Sequence, residues 1–386
     1  MAKNGFKIID SDMHVFEPHD LYLKYMNPRW GDRIPRGPPR KKYGKIEFTY
    51  ADGNPMRTSA KRIMAPKSGG GELTPAEAAD LSRRQVAHRY EIPLKRDFDA
   101  VSQLDAMDKE GVDVAVLFRT FPLHCDDDLE PEYANDLCRA WNDWMADFCK
   151  ADTKRLRPSA LITLHDVNLA VDETRRAITQ LGATGLCLVP EPANGRHIHD
   201  RYYDPVWREA EKLGVPICFH PANNPNTDHV VHRFKGHANE GLLMNALRNP
   251  VELMLAVSKF CAGGVLERFP RLRVGFLEGN CSWLPWLLYR LDERWELREG
   301  YTDEPLSMKP SDYFMRQCFI SVDVEENLLG DVIKRIGEDN VVISTDYPHS
   351  DSHWPEAVND FMAMEMPSSA RKKILWDNCA RLYAVN

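Results

Sequence analysis

The 386-residue chain lacks the features that mark membrane, secreted and nucleic-acid-binding proteins. It contains no apolar run approaching the roughly 20 residues that a membrane-spanning helix needs. Residues 1–5 contain no apolar stretch like that of a signal peptide, so we expect no secretory signal. Basic residues are not in excess, and the formal charge of −8 argues against a general nucleic-acid binder, which needs a basic surface. We therefore expect neither a membrane nor a nucleic acid as a partner.

Two further motifs are missing, and each absence excludes a class of protein. No Cys-x-x-Cys pair occurs among the nine cysteines, several of which, such as Cys187, Cys218 and Cys261, lie in apolar runs. Scattered thiols of this kind are typical of a reducing compartment, so we expect a cytoplasmic protein. The Gly-x-Gly-x-x-Gly motif of dinucleotide-binding proteins is also absent.

What the sequence does contain is a regular alternation of short apolar runs with longer helical patterns. Strands are predicted at 6–14, 112–118, 156–164, 183–189, 215–220, 272–278, 319–323 and 341–346. Helices are predicted near 97–110, 130–150, 167–181, 202–213, 250–268, 282–298, 325–336, 354–364 and 376–384. Continuous apolar character is typical of a parallel sheet buried on both faces. The pattern predicts an α/β protein, a (β/α)8 TIM barrel that spans residues 1–386 as one domain.

Two long insertions, after strands one and five, do not fit this repeat. Residues 20–95 are rich in proline and form the first, and residues 221–248 form the second. Both follow the carboxyl ends of strands, where barrel enzymes build their sites, so both are candidate lids. We expect the three histidines of the second segment, His229, His232 and His237, to be solvated.

The first strand ends in a cluster of polar residues, Asp10-Ser11-Asp12-Met13-His14, with Glu17 three residues further on. Because successive side chains of a strand point to opposite faces, Asp10, Asp12 and His14 project from one face. Imidazole and carboxylate together suit Zn, Fe or Mn. Taken alone, the motif could equally be a polar strand end with a capping aspartate and a surface histidine.

Three more candidate ligands end predicted strands far downstream. His220 ends strand five, Glu278 ends strand six and Asp346 ends strand eight. Each by itself has an ordinary explanation, as a helix cap or a hydrogen-bonded histidine. In a barrel, however, the carboxyl ends of all strands meet at one mouth, so these residues join those of strand one. Their joint occurrence favours a metal site.

The same residues lie in motifs that resemble a known family. The motifs are Asp12-Met13-His14, Phe219-His220-Pro221, the run 264–274, Thr345-Asp346-Tyr347-Pro348-His349 and the run 374–383. With them the chain resembles the amidohydrolase superfamily, in the branch that contains aminocarboxymuconate-semialdehyde decarboxylase and the resorcylate and carboxyvanillate decarboxylases. The likeness covers most of the chain outside the two insertions.

The resemblance implies a metal-dependent enzyme with ligands at Asp12, His14, His220 and Asp346. The chain also departs from the family pattern. Where this branch usually carries a His-Gly motif after strand six, the chain has Glu278 followed by glycine, so the usual proton shuttle is missing. Strand four ends without the lysine that bridges two metals in other amidohydrolases.

Two kinds of chemistry fit a site that holds one divalent ion, Zn, Mn or Fe. In the first, a metal-activated water hydrolyses an amide, ester or lactone, and Glu278 or His349 moves protons. In the second, the metal binds the carboxylate of a small organic acid, which loses carbon dioxide without oxidation. Arg119, just after strand two, is the one basic residue that we name as a candidate for substrate binding.

A second metal ion would change the chemistry. Glu17 and Glu278 could help to hold it, and some superfamily members with an Asp-x-His-x-x-Glu pattern on strand one resemble non-haem di-iron monooxygenases. A catalytically silent partner subunit on the same fold is a further hypothesis, although the complete ligand set argues against it. We expect a small-molecule substrate, and either a homodimer or a hetero-oligomer with a paralogue.

Overall fold

The computed structural model describes residues 3–37, 49–50, 90–222, 229–297, 303–349 and 352–385. They contain an eight-stranded parallel sheet whose strands pair in chain order. The strands are β1 (Ile9–His14), β2 (Val114–Phe118), β3 (Leu156–Leu161), β4 (Gly185–Leu188), β5 (Ile217–Phe219), β6 (Val274–Phe276), β7 (Cys318–Asp323) and β8 (Val341–Ser344). The predicted TIM-barrel fold is confirmed, and every predicted strand overlaps an observed one.

Burial on both faces explains why the strands read as continuous apolar runs. Every residue of β1, β2, β6 and β8 is buried. Inside the sheet, the rings of Phe219 and Phe276 stack with their centroids 5.8 Å apart. Strand β1 is the exception in composition, because it buries Asp10, Asp12 and His14 in the same apolar setting. Buried ionisable groups need partners, so β1 is a strand on which a functional site is expected.

Helices alternate with the strands. The α-helices are Leu21–Tyr25, Glu91–Lys95, Ala100–Glu110, Pro131–Cys149, Val167–Thr179, Asp204–Leu213, Glu240–Cys261, Val265–Arg268, Leu284–Leu297, Pro310–Gln317, Leu329–Ile336, Ala357–Ala363, Ser368–Lys372 and Asn378–Tyr383. Short 3₁₀ segments lie at Pro28–Arg33, Leu123–Cys125, Arg201–Tyr203 and Val230–Phe234, and a π segment lies at Lys373–Asp377. In the described part of the chain, none of the helices is long and apolar enough to cross a bilayer.

One predicted helix has the wrong boundaries. The helix expected at 250–268 begins at Glu240, runs through Pro250 and ends at Cys261. Proline favours the first turn of a helix, which is why the sequence suggested a start there, but this helix keeps the ring in its interior and forgoes one backbone hydrogen bond. Gly264, with φ at 81°, then separates this helix from the short one that follows.

The two segments outside the repeat are described in part. After β1 the chain forms a short strand, Pro35–Arg36, which pairs antiparallel with Thr49–Tyr50. After β5 the 221–248 segment contains a 3₁₀ turn and the first residues of the helix that begins at Glu240. Residues 38–48 and 51–89 of the first segment and 223–228 of the second lie outside the described residues. The role of either segment as a lid stays a prediction.

Side-chain hydrogen bonds close the barrel between β8 and β1. Ser11 Oγ donates to the Ile343 carbonyl at 2.6 Å, and Ser344 Oγ donates to the Asp12 carbonyl at 3.1 Å. The Tyr383 hydroxyl donates to the Ser11 carbonyl at 2.7 Å. These bonds hold β1 against β8, and they place the acidic end of β1 beside the loop that follows β8.

We expect Ser11→Ala to destabilise the protein by about 1 kcal/mol, because a buried carbonyl at the closing seam loses its donor. Urea unfolding followed by circular dichroism measures the change. Ser258→Ala is the matched control, since Ser258 Oγ donates to a carbonyl four residues earlier in its own helix, at Met254, and should change stability by less than about 0.5 kcal/mol. Equal effects of the two substitutions would contradict a special role of the seam.

Candidate metal centre

Two imidazoles meet at the carboxyl end of the barrel. His14 ends β1 and His220 follows β5, and their Nε2 atoms lie 3.2 Å apart. Asp12 Oδ1 lies 3.6 Å from His14 Nε2 and 3.7 Å from His220 Nε2. Asp346, just past β8, brings Oδ1 to 3.3 Å from His14 Nε2. The structure thus brings together four of the predicted ligands, Asp12, His14, His220 and Asp346, which we call the ligand cluster.

The contacts of the other ring nitrogens define the orientation of the imidazoles. His14 Nδ1 lies 2.7 Å from the Arg119 carbonyl, and His220 Nδ1 lies 3.3 Å from the Pro221 carbonyl. Because a carbonyl oxygen only accepts, each Nδ1 carries the hydrogen, and a neutral ring then presents a lone pair at Nε2. Burial lowers the pKa of His14 well below its usual value, which keeps that ring neutral. Both Nε2 atoms and the carboxylates of Asp12 and Asp346 therefore face one centre.

The electrostatics of Asp12 show that this centre suits a cation. Burial raises the pKa of Asp12 well above its usual value, and the carboxylates of Glu278 and Asp346 raise it further. Among the described residues, neither side-chain oxygen of Asp12 has a hydrogen-bond partner. A buried carboxylate in this state is unfavourable, and a divalent cation would supply the missing partner. Two imidazoles with carboxylates suit Zn, Mn or Fe, so the residues present fit one such ion.

Strand β1 reaches the centre through an irregular register. Its pairing with β2 shifts between Asp10 and Met13, and such bulges re-aim side chains. Asp10, predicted on the same face as Asp12, takes a different position: its carboxylate accepts from the Asp12 N–H at 3.1 Å and from the Thr345 hydroxyl. Burial raises the pKa of Asp10 to about 6. Asp10 thus connects the backbone of β1 to the loop after β8.

Two acidic residues occupy backbone conformations that non-glycine residues seldom adopt. The φ angle is 58° at Glu278 and 56° at Asp346. Each such residue costs about 1–3 kcal/mol and persists only where the surrounding structure holds it. Here the sharp turns directly after β6 and β8 direct both carboxylates toward the ligand cluster.

Glu278, predicted as a catalytic residue, lies at the edge of the ligand cluster. Its Oε2 lies 2.5 Å from His220 Nε2, and its side chain is 27% exposed. Asn249 Nδ2 donates to the other oxygen, Oε1, at 3.1 Å. Burial raises the pKa of Glu278, but the His220 imidazole that contacts Oε2 lowers it more, so the net pKa lies below the usual value. Glu278 is therefore an anion at neutral pH.

His349, the second predicted catalytic residue, packs directly on the ligand cluster. Its ring lies against that of His14, with centroids 3.9 Å apart. Nδ1 lies 2.7 Å from Asp346 Oδ1, and Nε2 lies 3.2 Å from the Thr120 hydroxyl oxygen. The imidazole thus orients the Asp346 carboxylate and can hold a proton beside it.

Glu17, predicted as a ligand, is engaged elsewhere. Among the described residues it belongs to neither of the two groups of candidate ligands whose atoms lie within 4.8 Å of one another. Its Oε1 accepts from the backbone N–H groups of Thr120 and Phe121 and from the indole N–H of Trp141, at 3.1, 3.3 and 3.1 Å. These contacts anchor the segment after β2 through Oε1, while Oε2 has no hydrogen-bond partner among the described residues.

Arg119, predicted to bind substrate, is buried, with 2% of its surface exposed. Its Nη2 donates to the carbonyls of His220 and Pro221 at 3.1 and 3.2 Å. Its own carbonyl lies beside the Nδ1 of His14. Arg119 therefore supports both imidazoles of the ligand cluster, and this geometry does not support a contact with substrate.

A cavity of about 440 Å³ borders the ligand cluster. Glu278 and Asp346 form the part of its wall nearest the cluster. Polar residues on the rest of the wall include Asn245, Asn249, Asn280, Asp323, Glu325 and His353. A space of this size lies in the range of small-molecule sites.

An eight-stranded parallel barrel with imidazole and carboxylate ligands at its carboxyl end defines a class of protein, the metal-dependent TIM-barrel enzymes. Comparison with known proteins gives the family. Residues 9–385 match the family model described as amidohydrolase, Amidohydro_2. The chain therefore belongs to the amidohydrolase family, as its motifs predict.

Individual relatives agree with this assignment. A gamma-resorcylate decarboxylase from Rhodococcus jostii is 28% identical over 295 residues, covering 74% of this chain and 87% of the relative. An amidohydrolase structure from Mycobacterium avium subsp. paratuberculosis superposes with a TM-score of 0.76 at 20% identity, covering 99% of this chain and 98% of that one. A dihydroxybenzoic acid decarboxylase from a Polaromonas species, solved with manganese and 2-nitroresorcinol, has a TM-score of 0.62 at 23% identity, with 74% and 86% covered.

The two structural likenesses show the fold, and the sequence relatives confirm the enzyme class. The expectation of a metal-dependent hydrolase or decarboxylase is confirmed. The further division, into hydrolysis or decarboxylation and into one metal or another, concerns the function proposed below.

Sequence reasoning missed several residues around the site. Asn249 and Thr120, which contact the two predicted catalytic residues, stand in no motif and could not be singled out. His229, expected to be solvated, is instead 3% exposed. It pairs with Glu191 and Glu252. Glu191 was the sequence feature that could have indicated these contacts, because this acidic residue follows β4 as Asp346 follows β8.

We expect Asp12→Asn to weaken divalent-metal binding by at least about 100-fold, beyond the roughly 10–100-fold effect of residues that only support a ligand. The reason is that the substitution removes the charge of the buried carboxylate that faces both imidazoles. Metal content after dialysis against a weak chelator, measured by mass spectrometry, checks this. Asp323→Asn, at a cavity carboxylate that pairs with Asn280, is the control and should retain wild-type metal content.

We expect Glu17→Ala to lower the free energy of unfolding by about 1–3 kcal/mol, because three buried donors lose their acceptor. Metal stoichiometry should stay unchanged, since Glu17 holds backbone rather than the ligand cluster. Urea unfolding and metal analysis of the same sample measure both quantities. Loss of one of two bound ions on this substitution would show instead that Glu17 is a ligand.

Proposed function

We propose that the protein is a single-metal, non-oxidative decarboxylase of a small aromatic acid that carries an oxygen next to its carboxylate. Asp12, His14, His220 and Asp346 would hold the ion. When bound, Zn²⁺, Mn²⁺ or Fe²⁺ would supply Lewis acidity toward the substrate carboxylate and its neighbouring oxygen. The observation that carries the proposal is the buried Asp12 carboxylate, which has no hydrogen-bond partner among the described residues and lies beside two imidazole Nε2 atoms near a cavity of about 440 Å³. The decarboxylase relative that matches most of the chain supports the reaction.

Glu278 suits the binding of a substrate hydroxyl. Its carboxylate is anionic at neutral pH because its contact with the His220 imidazole lowers its pKa. Asn249 fixes one of its oxygens and leaves the side chain partly exposed. An anionic carboxylate in this position accepts a hydrogen bond from a hydroxyl next to the leaving carboxylate, and so orients the ring.

The reaction also needs one proton at the carbon that loses carbon dioxide. His349 Nδ1 and Asp346 Oδ1 lie 2.7 Å apart, and Asp346 borders the cavity. The pair can hold a proton between these two atoms and deliver it to the ring carbon. Thr120, on the far side of the imidazole, orients the ring for that transfer.

Hydrolysis of an ester, amide or lactone is the second candidate, and one observation favours it. A general base that activates water must be deprotonated, and the lowered pKa of Glu278 meets this condition. The di-iron monooxygenase has less support, because Glu17 is engaged with backbone and indole donors. The silent partner subunit has less support as well, since Asp12, His14 and His220 lie within reach of one ion and Asp346 contacts His14.

The test is reconstitution of metal-free protein with Mn²⁺, Zn²⁺ or Fe²⁺, followed by assay on ortho-hydroxybenzoates and on esters and lactones of similar size. We expect carbon dioxide release from a hydroxybenzoate, and ring deuteration of the product in heavy water as detected by NMR. We expect Glu278→Gln to lower kcat by roughly 100-fold or more. Glu91→Gln, at a carboxylate outside the cavity wall and 62% exposed in its side chain, is the control and should keep wild-type kcat.

The other outcomes identify the alternatives. Product formation from the esters or lactones without carbon dioxide release would establish hydrolysis. Oxygen consumption in proportion to product, measured with an electrode, would establish oxygenation and overturn the proposal.

A further inference from the structure

The backbone that carries His220 is held by side chains as well as by the sheet. The His220 N–H donates to the Leu188 carbonyl of β4 at 2.9 Å. Its carbonyl and that of Pro221 both accept from Arg119 Nη2. Strand β5 ends one residue before His220, so the backbone hydrogen bonds of the sheet do not by themselves fix the position of the imidazole. Arg119 holds this extension of the strand from one side.

A second set of buried side chains holds the next residue, Ala222. Its N–H donates to Glu191 Oε1 at 3.0 Å, and its carbonyl lies 2.6 Å from His229 Nε2. The same nitrogen of His229 lies 2.7 Å from Glu191 Oε1, and its Nδ1 lies 3.3 Å from Glu252 Oε1. Glu252 belongs to the helix that begins at Glu240, so three separate parts of the chain meet at Ala222. Every backbone polar group from His220 to Ala222 is thereby satisfied, since proline has no N–H.

The four side chains around this segment balance one another in charge. Arg119 and His229 are basic side chains, Glu191 and Glu252 are acidic side chains, and all four are buried. Although burial lowers the pKa of His229, its contacts with the two carboxylates raise it to about 10, so the ring carries a charge at neutral pH. Burying ions costs several kcal/mol each before pairing, and apolar residues could fill the same space. The buried charged set is therefore better explained by the geometry that it imposes than by a gain in stability.

We propose that Arg119, Glu191, His229 and Glu252 form a charge clamp that positions His220 to bind the metal ion. The inference rests on the proposed function only in that it requires a divalent ion at the ligand cluster. Glu191, His229 and Glu252 lie outside the groups of candidate ligands in the described part of the chain. They act through the backbone of the residues directly after His220, and are positioning residues. Outer partners of a metal-bound imidazole typically change metal affinity by 10–100-fold when they are replaced.

The experiment compares Mn²⁺ affinity among full-length, metal-free variants, by competition with a fluorescent chelator. We expect Glu191→Gln and His229→Gln to weaken Mn²⁺ binding by roughly 10–100-fold. Glu173→Gln is the matched control. Glu173 is also a buried carboxylate with charged partners, Arg139 and Arg176, but these lie on helices away from the ligand cluster. The control should lose comparable stability in thermal unfolding and keep the wild-type Kd for Mn²⁺.

Glu252→Gln provides a second variant should His229→Gln not fold, because Glu252 contacts His229 but not the backbone from His220 to Ala222. A wild-type Kd in the folded clamp variants, or an equal loss of affinity in Glu173→Gln, would overturn the inference. A wild-type protein that binds none of Mn²⁺, Zn²⁺ and Fe²⁺ would overturn the metal site and the clamp together. A wild-type protein that binds Mn²⁺ but releases no carbon dioxide would overturn only the proposed reaction, and the clamp would still be decided by the Kd values.

Discussion

Two imidazole Nε2 atoms and a buried carboxylate that face one point are the constraint around which this barrel is organised. His14 and His220 present Nε2 atoms 3.2 Å apart, and Asp12 has no hydrogen-bond partner among the described residues. A buried carboxylate without a donor is unstable inside an apolar barrel unless a cation joins it. Metal binding is therefore the physical condition that makes this arrangement favourable.

Much of the surrounding structure holds the imidazoles and carboxylates of the ligand cluster in place. Backbone carbonyls accept hydrogen bonds from Nδ1 of both rings and so fix which nitrogen faces the centre. Asp10 connects β1 to the loop after β8, and strained turns direct Glu278 and Asp346 inward. On the side of β5, the charge clamp holds the backbone that follows the end of the strand. Support of this kind lets a site on loops reach the accuracy that a metal ion requires.

The structure also divides the polar residues of the site into those that face the centre and those that support it. Glu17 and Arg119 are both buried, and the sequence suggested chemical roles for both. Their contacts are instead with backbone groups and an indole. A buried carboxylate or guanidinium has to satisfy its own hydrogen-bonding groups, and in a barrel the nearest unsatisfied groups are often the backbone ends of neighbouring strands. Spacing along the chain does not distinguish these two uses.

The sequence by itself predicted the barrel and four polar residues that the structure brings close together. Continuous apolar runs located all eight strands, because strands buried on both faces carry no polar alternation. Polar residues at the ends of those runs predicted Asp12, His14, His220 and Asp346, because the strands of a barrel all end at one mouth. Only the tertiary structure decided what Glu17, Arg119 and His229 do. Their roles depend on side-chain contacts between residues about 30 to more than 100 positions apart, and neither strand periodicity nor motif spacing carries that information.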